Sequence, residues 1–185
     1  GSLSSIEANK AITEGLLQAN PHFSVQSLPV ADGGEGTVEA LVYATGGQFF
    51  DSIVTGPLGK PVKSRYGILG DKMTAVIEVA EACGLPLIPK DERNPLFTTT
   101  YGVGELILDA IEKGCHDFII GLGGSATNDA GVGMLQALGY QFFTKAGELA
   151  GLGGDALKEI SRIDIGKVPE QVKAAKFRVA CDVNN

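Results

Sequence analysis

The chain has 185 residues and a formal net charge of −7, room for one domain of ordinary size or two small ones. Apolar residues make up 44%, enough for a packed core, but no stretch reaches the ~18 consecutive apolar residues of a membrane span. The acidity and the lack of any basic run exclude a nucleic-acid surface, because an acidic protein repels a phosphate backbone.

In chain order, Ser4-Ser5-Ile6-Glu7 reads as a capping box. Ala8, Ala11, Ile12, Leu16 and Ala19 then follow helical spacing until Asn20-Pro21 stops the helix. Phe23 to Val30 reads as a strand that runs into Ala31-Asp32-Gly33-Gly34-Glu35-Gly36-Thr37. Val38, Leu41, Val42 and Thr45 mark a short helix ended by Gly46-Gly47. Three strand-like runs follow, Gln48 to Thr55, Val62 to Leu69 and Thr74 to Val79, with short turn-rich links that predict antiparallel hairpins. A domain boundary near residue 48 fits this change of pattern. Past a proline-punctuated loop, Val103, Leu106, Ile107, Ala110 and Ile111 predict a helix ended at Gly114. Asp117 to Leu122 reads as a buried strand, and a helix is expected from Asp129 to Leu138. Tyr140 to Thr144 reads as a strand, 152–165 is ambiguous, 169–176 predicts a short helix, and Phe177 to Val183 predicts a last buried strand. The alternation of strands and helices is an α/β pattern.

Glycine is in excess, 26 residues, and clusters at the ends of apolar runs. Two loops share one layout of apolar strand, glycines with small polar residues, then helix. They are 32–37 and 121–129, the second reading Gly121-Leu122-Gly123-Gly124-Ser125-Ala126-Thr127-Asn128-Asp129. Helix N-termini attract anions and glycines allow close backbone approach, so Gly33, Gly34, Gly123 and Gly124 are candidate phosphate contacts. Ser125 and Thr127 can donate to phosphate oxygens, and Asn128 can donate or ligate Mg²⁺. Asp32, Glu35 and Asp129 would repel a bare phosphate. They fit a bridging cation or a base that takes a hydroxyl proton, as phosphoryl transfer requires. Asp182, at the end of the last strand, is a further candidate, and a turn through Asn184-Asn185 accounts for it as well. Asp32 and Asp129 fit helix caps or turns equally well. Thr98-Thr99-Thr100 is either an N-cap cluster or a hydroxyl-rich ligand edge, and Arg65, Lys72 and Arg93 are either solvated surface charges or partners for a substrate carboxylate. Cys83, Cys115 and Cys181 have no ligand spacing and are expected to be buried thiols of a reducing, cytoplasmic compartment. His22 and His116 are expected at the surface.

The strings "GSLSSIEANKAITEG", "PVADGGEGTVEAL", "VTGPLGKPV", "TTTYGVGELILDAI", "IIGLGGSATNDAGVGMLQALG" and "RVACDVNN" resemble, in order along essentially the whole chain, the bacterial glycerate kinases of the first class. The resemblance implies ATP-dependent, Mg²⁺-requiring phosphorylation of D-glycerate by a protein of two α/β domains. One is Rossmann-like and built from both chain ends, here residues 1–47. The other is an inserted mixed α/β domain, here 48–185 and incomplete at its end. The chain is thus expected to be an N-terminal-half fragment, inactive alone. Asp129, Asp182 and Asp32 would be catalytic, with Asp129 or Asp182 on Mg²⁺. Gly123, Gly124, Ser125, Thr127, Asn128, Gly33, Gly34 and Glu35 would contact the nucleotide. Two other readings stay open, a kinase for another small hydroxy acid and a non-catalytic phosphate- or metabolite-binding module. Oligomeric state is open.

Overall fold

The computed structural model describes residues 4–30 and 33–181. Helix α1 (Ser5–Ala19) starts where the capping box predicts: Glu7 N–H donates to Ser4 Oγ at 3.1 Å and Ser4 N–H to the Glu7 carboxylate at 2.8 Å. No residue of α1 is buried, and Ile12, Leu16 and Leu17 are exposed. The predicted strand 23–30 runs beside α1 without joining a ladder. Its backbone is tied to the helix instead, through Asn9 Nδ2 to Leu28 O at 2.8 Å and Val30 N–H to Ser5 Oγ at 3.0 Å. An extended segment becomes a strand only where another offers its backbone groups, and no described strand lies along this one.

The main sheet has five strands in the order β1-β2-β3-β4-β7: β1 (Gln48–Thr55), β2 (Pro61–Ile68), β3 (Thr74–Glu78), β4 (Asp117–Gly121) and β7 (Lys176–Ala180). The first two pairings are antiparallel, and β3, β4 and β7 run parallel. The β1–β2 turn closes with Gly56 N–H on Lys60 O at 2.7 Å. In the β2–β3 turn the Asp71 carboxylate takes the N–H groups of Met73 and Thr74, both at 2.9 Å.

Helices cover both faces. Helix α2 (Thr37–Thr45) lays Val38 and Val42 on Val76, with Ile119 beside them. Gly67 of β2 has no room for a side chain because Val42 lies against it. This packing crosses the expected boundary near residue 48, since α2 shares a core with the strands that follow it. Helix α4 (Tyr101–Glu112) covers the opposite face with Val103, Leu106, Ile107 and Ala110 over Ala75, Ile77 and Phe118. Leu106 and Ile107 are fully buried, each contributing roughly 1.5–3 kcal/mol by leaving water. Three short helices complete this side: α3 (Val79–Cys83), α5 (Val132–Ala137) and α6 (Glu170–Ala174). Gly104 lets α4 and α5 cross with a backbone oxygen of Met134 against it. Strands β5 (Gln141–Thr144) and β6 (Ile160–Asp164) form a separate ribbon over Val132, Phe142 and Ala150. The ambiguous stretch 152–165 is thus a 3₁₀ turn, Gly154–Glu159, followed by β6.

Two expectations of burial need correction. Strand β7 is an edge, with Val179 62% exposed, because the described sheet has no strand beyond it. Cys181, just past that edge, is exposed, whereas Cys83 and Cys115 are buried as expected.

Candidate active site

The three parallel strands end level with one another: Glu78 of β3 is in register with Gly121 of β4, and Gly121 with Ala180 of β7. Both glycine-rich loops come to this edge and lie against each other. A Cβ on Gly33 would strike the carbonyl oxygen of Ala180, and one on Gly121 would strike that of Gly33. A Cβ on Gly123 would sit 2.8 Å from the Cα of Gly34. These glycines were expected to bring backbone close to an anion; the observed close approach is of backbone to backbone. The sequence could place each loop but not their contact, which joins segments far apart in the chain.

In the first loop Thr37 closes a tight turn. Its Oγ1 accepts from Gly33 N–H at 3.0 Å and donates to Gly34 O at 2.7 Å. The helix start that follows is already taken. The Glu78 side chain, 6% exposed, accepts the Val38 N–H at 2.8 Å. Burial raises the Glu78 pKa; the Val38 amide opposes this, nearby Glu81 adds to it, and the amides of Gly36 and Thr37 oppose it further. Sequence reading missed Glu78. The available signal was an ionisable residue inside the apolar run Thr74-Ala75-Val76-Ile77-Glu78-Val79, a position where a glutamate is found only when paired.

A cavity of about 670 Å³ opens beside this helix start, lined among others by Glu35, Glu39, Glu78, Glu81, Arg65 and Phe49. Arg65 borders it but is engaged by Asp51 at 2.7 and 3.2 Å. Arg93 instead ties a loop through the carbonyls of Ile88 and Leu85, and Lys72 sits in the β2–β3 turn with a left-handed backbone. His22 and His116 are at the surface.

The second loop is held from below and open above. Leu85 N–H donates to Gly124 O and Ala126 N–H to Cys83 O, both at 2.9 Å, and Thr98 Oγ1 donates to Ala126 O at 2.8 Å. Ser125 and Asn128 are exposed. The Ser125 and Thr127 hydroxyls lie 2.8 Å apart, a pair of rotatable donors. Helix α5 begins at Val132 rather than at Asp129, because Ala130 and Gly131 have left-handed backbones, φ 51° and 73°. Ser125 and Thr127 therefore do not stand at a helix start.

Asp129 is 1% exposed. Its Oδ2 accepts from Thr100 N at 2.8 Å, Thr100 Oγ1 at 2.9 Å, Gly133 N at 3.2 Å and Thr99 Oγ1 at 3.4 Å. Its Oδ1 accepts from Gly131 N and Thr100 Oγ1, both at 3.1 Å. The threonine cluster is thus the donor set of a buried carboxylate that ties the loop to the starts of α4 and α5. With both oxygens enclosed, Asp129 does not fit the Mg²⁺ ligation expected of it. Among the described residues no group of three or more His, Cys, Asp or Glu is arranged to hold a metal. The exposed hydroxyls and amide at 125–128 do fit an anion. Asp32 and Asp182 lie outside the described residues.

Comparison with known proteins agrees with this architecture. The model of the glycerate kinase family matches residues 1–185. A glycerate kinase of Bacillus subtilis (strain 168) is 51% identical, over 100% of this chain and 48% of its own length. A glycerate 2-kinase of Escherichia coli K12 is 50% identical with the same coverage. The crystal structure of a protein provisionally named glycerate kinase 2 from Salmonella typhimurium LT2 superposes with a TM-score of 0.91 at 47% identity, covering 100% of this chain and 50% of that one. The chain spans about half the length of the curated relatives it matches, and over that span it belongs to the glycerate kinase family.

Proposed function

We propose that the full-length protein carrying this chain phosphorylates D-glycerate with ATP, at the edge where the two glycine-rich loops meet. The observation that supports this most directly is the Ser125–Asn128 segment, with Ser125 and Asn128 exposed and Ala126 tied by Thr98, in a chain about half identical to glycerate kinases. In this reading the Ser125 and Thr127 hydroxyls and the Asn128 amide donate to phosphate oxygens, which binds the transferring group without adding a carboxylate beside it. Gly123 and Gly124 let the loop turn. Asp129 is a positioning residue that holds the segment in place. Asp32 and Asp182, one and two residues along the chain from the Gly33–Ala180 contact, are proposed to take the glycerate hydroxyl proton, with Glu35 on the same loop. Mg²⁺, bound with ATP, would neutralise charge on the phosphates; of the candidate ligands, Asp182 lies outside the described residues and Asp129 does not fit. The relative named a glycerate 2-kinase favours transfer to the 2-hydroxyl. A cytoplasmic setting belongs to the same proposal; no described helix is long and apolar enough to cross a membrane.

The test is ADP release by the full-length protein with ATP and Mg²⁺, with and without D-glycerate. Release that requires D-glycerate supports the proposal. Release with another small hydroxy acid alone moves the substrate. ATP binding with no release for any such acid replaces the kinase by a binding module.

A further inference from the structure

We propose that Glu78 is a built-in anion that fills the N-terminus of α2 and closes the Gly33–Thr37 loop to phosphate, leaving the nucleotide's phosphates to the Ser125–Asn128 loop. The second half of this inference rests on the kinase reading above; the first half does not.

A helix start draws anions because its first N–H groups have no partner in the helix. In α2 one of these donors is already used. Glu78 reaches across from the end of β3 and accepts the Val38 N–H at 2.8 Å, while Thr37 N–H turns back to Gly34 O at 3.2 Å. The side chain is 6% exposed, so it is a packed part of the structure and not a mobile surface group. Gly121, its register partner, lies in ordinary packing contact with the Glu78 side chain, 3.6 Å from a Cβ position there to the Glu78 Cγ. A phosphate at this helix start would have to displace a buried carboxylate. It would also face Glu35, Glu39 and Glu81 around the adjoining cavity, each a unit charge of the same sign.

The other loop presents the opposite balance. Residues 123–128 contain no acidic side chain. The first one after them, Asp129, is buried beneath donors from Thr99, Thr100, Gly131 and Gly133. The Ser125 and Thr127 hydroxyls lie 2.8 Å apart, one bonded to the other, so the pair keeps one O–H for a ligand. The two loops look alike in sequence, yet one has its anion supplied by the fold and the other does not.

The experiment is an amide NMR titration of the ¹⁵N-labelled full-length protein, with ATP and separately with sodium sulfate against sodium chloride at matched ionic strength. In the wild type, ATP is expected to shift the amides of Ser125, Thr127 and Asn128 saturably and to leave Gly36, Thr37 and Val38 at their chloride positions. In Glu78→Ala, sulfate is expected to shift the Val38 amide saturably. In Glu78→Gln, which keeps a neutral acceptor in place, that shift is expected to stay absent. Saturable ATP shifts at Gly36–Val38 in the wild type would overturn the proposal while leaving the kinase reading intact. ATP shifts at neither loop would remove the kinase reading and the second half together, and the sulfate response of Glu78→Ala would decide the first half alone. Should Glu78→Ala fail to fold, the wild-type ATP map decides.

Discussion

Replacing Asp129 by Asn separates a structural carboxylate from a metal-binding or catalytic one. Asn keeps one oxygen, and the position with most donors is that of Oδ2, which serves Thr99, Thr100 and Gly133. Its amide group then takes the place of Oδ1 and faces the Gly131 N–H, formerly bonded at 3.1 Å, donor against donor. The Thr100 hydroxyl can rotate to accept; the Gly131 amide cannot. One charge-assisted hydrogen bond is lost, roughly 1.5–3 kcal/mol, and one shielded N–H is left unpaired, roughly 1–3 kcal/mol. The two overlap, so the expected loss is about 3 kcal/mol. With an m-value of about 2 kcal/mol/M, urea unfolding followed by circular dichroism should show a midpoint about 1.5 M lower and an unchanged slope. Asp129→Ala orphans every donor and opens a cavity, so it should fall further. A midpoint for Asp129→Asn within about 0.3 M of wild type would refute the reasoning. A group held for Mg²⁺ behaves in the opposite way: neutralising it leaves stability unchanged or raised.

Gly121→Ala drives a methyl into the Gly33 carbonyl and should cost roughly 1–3 kcal/mol as overpacking. Gly36→Ala meets open space and only a left-handed φ of 92°, roughly 1–2 kcal/mol; thermal melts should rank the two in that order. The Asp51 carboxyl is held down to about 2 by hydrogen bonds from Arg65 and then Lys63. Its folded pKa lies below the unfolded one, so its contribution is present at neutral pH and is lost as pH falls from about 4 to about 2. A ¹³C titration should find the low midpoint, and Arg65→Ala should raise it. Burial pushes the Cys83 thiol up to about 11 and raises Cys115 as well, whereas Cys181 is exposed. A thiol reagent should therefore count one reactive cysteine in the native chain and three after unfolding.

The features that local chemistry writes into neighbouring residues were legible. The Ser4–Glu7 capping box, the β1–β2–β3 meander, the apolar stripe of α4 and the stop at Gly46 all depend on residues a few places apart. What was missed depends on partners far away in the chain. Phe23–Val30 has strand-forming residues but no neighbouring ladder among the described residues. Asp129 looked like a ligand because its donors, Thr99 and Thr100, lie some thirty positions upstream. The contacts that crowd Gly33, Gly121 and Gly123 come from the other loop and from Ala180, far away in the chain. Glu78 passed unnoticed because its partner amide sits in a helix forty residues earlier.

The half-antiparallel, half-parallel sheet also has a consequence for assembly. Strands β1, β2 and β3 follow one another through short turns, so their pairing closes small loops and can form early. Strand β4 must wait for residues 79–116 to fold across the sheet, and β7 for residues 122–175, each closure carrying a larger entropic cost. Only when β7 docks does the Ala180 carbonyl arrive against Gly33. The candidate active edge is therefore expected to form last among the described elements. Lesions there should mainly quicken unfolding, whereas lesions in the β1–β2 hairpin should slow folding itself.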